Sequence, residues 1–473
     1  MNRFLTTLTA ALLTAGLLLP AATTANPGPI APADTADEAV VSVFDDENDD
    51  ETDDESTDAD ESTAAPQSDE PSLSVDINGS LRFNALFRSY GEQADKTLAD
   101  GGFTFDTFRI GANGSYGGLI FDSELAVYPE SFGGVFLQKG WVGYEFSDAR
   151  EIQVGVSQVP FGIQPYASSS WFFNSTYYVG LEDDYDAGIK AIFQPGNWDI
   201  QGAYYMNAEQ TDFFAGSNFG RYSYDVVPVN SFPAFGDAGD ANDVNGIGGY
   251  TVVPGGNDGR SPIAEANQFN VKAAYSFDHG DLGFTKVGVS GQRGQLKNLS
   301  TGNTDWHAAY AAHLQGRYGG LGVKLEFAQQ ELNPPLTDQE RADFNSQSDV
   351  NYNAEDFVVM GAYNFPQRVA AEHTVYSSSV SYRIPVNLGP VSQVKPYYDF
   401  SLVTNKNVDA WNDNATHDIG FLTTAGPLFV YTDLNISKGH PFNHPGANFA
   451  SVMAENNDNE WRTAFNVNIG VYF

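Results

Sequence analysis

The sequence predicts an all-β fold, a transmembrane antiparallel up-and-down β-barrel of about sixteen strands, and three observations carry that expectation. From about Ile77 to the end, apolar and polar residues alternate with the two-residue period of a strand that has one oily and one wet face. The connections between these segments alternate short and long, as in barrels that gather brief turns on one rim and extended loops on the other. No stretch beyond the N-terminal one approaches the roughly twenty apolar residues of a spanning helix, so a chain entering a membrane must do so as a closed sheet.

Taken in chain order, Arg3 supplies a positive start, Phe4 to Leu19 is an apolar run of secretory-signal length, and Ala21 to Ala25 is a small-residue exit, so residues 1–25 read as a signal peptide cleaved after Ala25. Residues 26–76 follow as an acidic periplasmic tail. Between Asp34 and Glu70 there are 17 carboxylates and no Lys or Arg, and self-repulsion with few apolar residues predicts disorder. The tail reads first as a solvated spacer, with a sink for divalent cations or a contact for a basic periplasmic partner as the functional alternatives. Residues 77–473 form the barrel.

The expected strands are 79–90, 103–114, 118–128, 134–146, 150–158, 185–194, 197–206, 266–277, 283–294, 305–318, 320–331, 374–385, 392–404, 415–424, 427–438 and 461–473. In the first, Leu81, Phe83, Ala85 and Phe87 share one face and Arg82, Asn84 and Arg88 the other. In the last, Trp461, Phe465, Val467, Ile469, Val471 and Phe473 oppose Arg462, Asn466 and Asn468. Pro195-Gly196, Gly319 and Ala425-Gly426 are tight turns, whereas 159–184, 207–265, 332–373 and 439–460 are long. Phe357 to Phe365 also reads locally as a strand. Counting it makes the number odd and puts the 405–414 connection on the short-turn rim, so it is placed in a loop. Aromatics such as Phe103, Tyr144, Phe146, Trp198, Tyr382 and Tyr398 fall on outward faces, many near strand ends where an interfacial girdle sits.

Composition excludes whole classes of function. The net charge of −38 is too acidic for a binder of nucleic-acid phosphates. With no Cys there are no disulfides, thiolate metal sites or Cys nucleophiles. No Gly-x-Ser-x-Gly elbow or phosphate-cradling Gly-Lys-Ser/Thr loop is present, and no pair of the 7 His suggests a catalytic group, so no enzyme is expected.

The terminal strand Ala464 to Phe473, closing on Phe, together with the signal peptide and the alternating strands, resembles a Gram-negative outer-membrane porin. Gln153-Val154-Gly155-Val156 followed by Pro160-Phe161-Gly162, and Tyr397-Tyr398-Asp399-Phe400-Ser401, are similar to the sixteen-stranded porins that include phosphate-selective porin O/P-like proteins. The resemblance covers residue 77 to the end. It implies a homotrimeric channel in the outer membrane, surrounded by lipid and lipopolysaccharide and inserted by the barrel assembly machinery, which reads such C-terminal strands.

It also implies that the loop 159–184, after the fifth strand, folds into the barrel as a constriction. Alternation places twelve basic residues on the lumen face: Arg82, Arg88, Arg109, Lys139, Lys190, Lys272, Lys286, Arg317, Lys324, Arg383, Lys395 and Arg462. Fewer acids, among them Asp122, Glu124, Asp186, Asp199, Glu326, Asp399 and Asp433, join them. Avoidance of lipid alone explains most of this placement. Glu182, Asp183 and Asp184, on the return of the loop, are expected to face Arg82, Arg88, Arg109 and Lys139 across an eyelet; the alternative places them at an exposed loop end.

The expected function is passive diffusion of small hydrophilic solutes and ions with mild selectivity. A phosphate-type anion channel is the alternative, disfavoured because 159–184 contains no Lys or Arg. An adhesin or scaffold built on the long loops, and a barrel enzyme, come after it. No cofactor is expected beyond weakly held Ca2+ or Mg2+ at acidic loops. Asp237, Asp240, Asn242, Asp243 and Asn245 invite a calcium reading but miss the helix-loop-helix spacing. His440 and His444 are flanked by Pro441 and Pro445, which argues against a metal-binding helix.

Overall fold

The computed structural model describes residues 71–89, 102–129, 132–208, 221–226, 263–346, 353–363, 365–406, 408, 411–443 and 459–473. The signal peptide, the acidic tail through Glu70, the Asp237 to Asn245 cluster and His444 lie outside the described residues.

Each of the sixteen expected strands is found, and they close into an antiparallel barrel. Its staves are β1 (Ser74–Arg88), β2 (Phe103–Tyr116), β3 (Leu119–Val127), β4 (Val135–Ser147), β5 (Arg150–Gln158), β6 (Tyr185–Phe193) and β7 (Trp198–Ala208). After the inserted strand β8 (Arg221–Val226) come β9 (Ile263–Asp278), β10 (Gly283–Asn298), β11 (Thr304–Tyr318) and β12 (Leu321–Leu332). A second insertion, β13 (Phe357–Tyr363) and β14 (Phe365–Ala370), precedes β15 (Glu372–Tyr382). The short β16 (Ile384–Leu388), β17 (Val391–Asn405), β18 (Asn414–Ala425), β19 (Leu428–Lys438) and β20 (Arg462–Tyr472) complete the wall.

β15 and β16 both pair with β17 and make one stave interrupted at Arg383. Closure is direct: β20 lies antiparallel to β1 from Ser80↔Tyr472 to Arg88↔Ala464. Gly79 and Phe473 exchange backbone hydrogen bonds of 2.7 and 3.0 Å at the seam. The two-residue period holds around the wall. Val142, Phe146, Val271 and Val289 point outward with 64, 65, 63 and 59% exposure, while Asn84, Asn270, Gln292, Asn466 and Asn468 are buried inside.

Bulges locally break that period. On β2 the pairing with β1 passes from Thr107 to Phe105, so Asp106 and Thr107, neighbours in sequence, both serve the lumen face. On β4 the pairing with β3 likewise skips Gln138 beside Lys139.

Phe357 to Tyr363 is indeed a strand outside the barrel wall. β14, β13 and β8 form a separate three-stranded antiparallel sheet made from the two longest loops. Every residue of β8 and β13 is buried. The sheet packs against the loop between β5 and β6 and against Tyr128 and Phe136 beside the wall, giving the barrel an apolar core inside its long-loop half.

Candidate functional site

The segment 159–184 leaves β5, crosses the lumen and returns to β6, its base closed by a 2.8 Å bond from Val159 N to the Asp184 carbonyl. Wall side chains hold its backbone at successive staves. Ser290 Oγ accepts from Gly162 N at 3.1 Å and Glu326 Oε2 from Ile163 N at 2.8 Å. Lys324 Nζ donates to the Tyr166 carbonyl at 2.9 Å. On the far side, Asp399 Oδ2 accepts from Ser169 N and Ser170 N at 2.8 and 2.7 Å, and Ser401 Oγ from Ser175 N at 3.1 Å. Two glycines permit the closest approaches. A Cβ on Gly162 (φ 53) would lie 2.2 Å from Glu326 Oε1, and one on Gly180 (φ 71) 2.2 Å from the Tyr224 carbonyl of the inner sheet.

The loop seals charged side chains on β17 to β19 and leaves others, on β1 to β4 above all, in contact with water. Asp399, Asp418 and Asp433 on β17 to β19 are fully buried. On β1 to β4 the charged side chains keep water contact, Arg82 at 17% exposure, Arg109 at 15%, Asp122 at 22% and Lys139 at 29%, as does Lys286 on β10 at 25%.

Three of the expected cations stand in the β1 to β4 sector, and each has an acid beside it. Arg82 Nε lies 3.2 Å from Asp106 Oδ2, Arg109 Nη1 3.3 Å from Glu124 Oε1, and Lys139 Nζ 2.6 Å from Asp122 Oδ2. Arg109 Nη2 also donates to the hydroxyls of Tyr128 and Tyr222 at 3.0 and 3.3 Å. Arg88 is half-buried on the same face of β1, nearer the long-loop rim. Lys190, on β6, donates to the Gln158 carbonyl at 3.1 Å. Arg383 occupies the break in the β15–β16 stave, and Lys395 is buried on β17, so neither joins this group.

Glu182, Asp183 and Asp184 do not line an open gap, nor do they lie at an exposed loop end. All three are buried, because β8 covers the return of the loop. Glu182 accepts from Thr176 Oγ1 at 2.5 Å, and Asp183 Oδ2 from Tyr222 Oη at 2.6 Å. Burial pushes the Glu182 carboxyl up to about 8, against the Thr176 bond. Burial pushes Asp183 up to about 7, with the Tyr222 bond and the Arg109 charge pulling the other way.

Asp184, Asp186 and Asp225 bring carboxylate oxygens within 4.8 Å of one another, a donor set of the type that holds a hard cation. Arg221 Nη1 stands 3.6 Å from Asp225 and Gln268 Nε2 donates to Asp186 at 3.0 Å. His440 packs on the rings of Phe172 and Tyr178, and burial pushes its pKa down to about 3.

Sequence reasoning missed Asp106, whose inward turn comes from the bulge. It also missed the aromatic lining supplied by Tyr222 and Tyr363, although the alternation in Arg221-Tyr222-Ser223-Tyr224-Asp225-Val226 was a local strand signal.

A closed sixteen-stave barrel, apolar outside, polar inside and crossed by the loop after its fifth stave, has the architecture of the outer-membrane porins. Two solved structures place the chain within that fold. The outer-membrane channel DcaP of Acinetobacter baumannii superposes with a TM-score of 0.50 at 8% identity, over 85% of this chain and 97% of its own. OmpF of Salmonella typhi, solved with daunomycin, gives 0.50 at 10% identity, over 84 and 97%. The sequence itself matches no family model and no curated protein.

Proposed function

We propose that this chain is a porin of the Gram-negative outer membrane, a passive channel for small hydrophilic solutes and ions. The observation that carries the reading is the loop 159–184, tied to opposite walls of a closed barrel and leaving the β1 to β4 sector accessible. The passage runs along that sector. Its selectivity is mild, because Arg82, Arg109 and Lys139 each meet a carboxylate.

The chain works as a homotrimer in lipid and lipopolysaccharide, delivered by the barrel assembly machinery through the strand that ends at Phe473, and it carries no catalytic chemistry. Planar-bilayer recording of the purified protein is the test. Stepwise conductance with a reversal potential near zero in a salt gradient supports the reading, a strongly anion-selective potential favours the phosphate-type alternative, and absence of steps overturns the channel.

A further inference from the structure

We propose that the accessible sector contains a binding subsite for small planar carboxylates, aromatic ones above all. The inference rests on the channel reading for its route of access, and names the solute that the channel would hold. A cavity of about 150 Å³ lies between the β1–β2 wall and the tip of the crossing loop, lined by Arg82, Arg109, Trp171, Phe173, Tyr363 and Phe442 among others. That volume suits one six-membered ring and a carboxylate; a cavity of about this size holds benzene.

Its two kinds of wall match the two ends of such a solute. At one end, Asp106 meets the Arg82 guanidinium at Nε, and Asn468 Nδ2 donates to the same carboxylate oxygen at 2.8 Å. Among the described residues no hydrogen bond from the terminal nitrogens of Arg82 is found, and their N–H donors form the planar fork that suits a carboxylate. Arg109, held by Glu124 and Tyr128, adds a second cation beside it. At the other end the rings are fixed by one another. Phe173 stacks on Tyr177 at 4.5 Å and 19°, Trp171 meets Phe442 at 5.6 Å, and Tyr128 meets Tyr363 at 5.1 Å.

An independent observation marks the same place. Phe173 and Tyr363, bulky residues that avoid left-handed backbone, adopt φ of 59 and 54°, and both line the cavity. Such strain gathers at ligand clamps, where the fold over-determines a side chain's position. The bulge at Asp106 belongs to the same design, since it turns the carboxylate that orients Arg82 into the lumen.

The test uses the full-length protein in detergent and the fluorescence of Trp171, with W171F to identify that residue's share among the 6 Trp. 4-Nitrobenzoate is the quenching probe. Saturable quenching, absent in W171F and displaced by benzoate about tenfold more effectively than by acetate, cyclohexanecarboxylate or benzamide, is the expected result. R82Q and F173L weaken it about tenfold while retaining heat-modifiable gel mobility, the sign of an intact barrel, and R82K restores it only in part. Quenching that is unsaturable, unchanged in W171F or R82Q, or displaced equally by benzamide overturns the proposal. If R82Q fails to fold, F173L and the benzoate-to-benzamide ratio decide it. Binding is read without current, so a protein that conducts but does not bind overturns only the subsite. One that binds but does not conduct overturns only the channel.

Discussion

Asp183 shows how much one residue can control where the loop meets the inner sheet. It holds a left-handed backbone (φ 51), accepts from Tyr222, and lies buried beside Glu182. A carboxyl whose folded pKa is raised keeps a proton that the unfolded chain has already released. The stability it contributes is therefore complete below about pH 4 and is lost as pH rises through about 7 for Asp183 and about 8 for Glu182. Hydrogen exchange at the amides of 176–184, corrected for intrinsic rate, is expected to be slower at pH 5 than at pH 8. D183N, which cannot ionise, should remove part of that difference, and E182Q combined with D183N most of it. The wall pairs are a second residue-scale case. D106N and E124Q each strip an acid from an arginine at the passage, so the anion-to-cation permeability ratio from reversal potentials should rise about threefold, whereas R109Q should lower it.

At the scale of elements, the inner sheet separates this barrel from a simple tube. β13 and β14 pair with one another from Phe357↔Ala370 to Ala362↔Phe365, and β13 meets β8 at Met360↔Val226. The wall strands were legible because lipid on one side and polar groups on the other impose a strict alternation, as in Phe465, Val467, Ile469 and Val471 against Asn466 and Asn468. β13 lacks that contrast. Phe-Val-Val-Met-Gly-Ala-Tyr is buried on both faces, so its sequence announces a strand without saying which sheet it joins, and the even strand number of a barrel had to exclude it from the wall. The crossing of 159–184 was legible only through resemblance. The burial of Glu182 to Asp184 was not, because the strand that covers them comes from the remote loop after β7. V359P would remove a backbone donor from a strand paired on both sides and so destabilise the inner sheet. With the barrel closed independently through β1 and β20, the variant should keep its heat-modifiable mobility while its single-channel current becomes larger and noisier than the parent's.

For the whole barrel, stability depends on two solvents at once, and an arginine on the outward face should cost more at mid-stave than at the strand end. Val271 on β9 points outward with 63% exposure, near the middle of a stave that runs from Ile263 to Asp278. An arginine there faces hydrocarbon, so V271R should lower the unfolding free energy by about 2–4 kcal/mol in guanidinium titrations of protein folded into lipid vesicles. The same change at the strand end, where a long side chain reaches the interface, should cost about 0–1 kcal/mol; Phe277, outward with 47% exposure beside the short-turn rim, is the comparison. A soluble protein would reverse this logic: Val271 would be a surface residue, and an arginine there would change stability by no more than about 0.5 kcal/mol. The depth dependence between V271R and F277R thus reports the position of the hydrocarbon belt without reference to any transported solute. Equal, small effects at both positions would show that the exposed apolar face meets water and would overturn the lipid-facing reading.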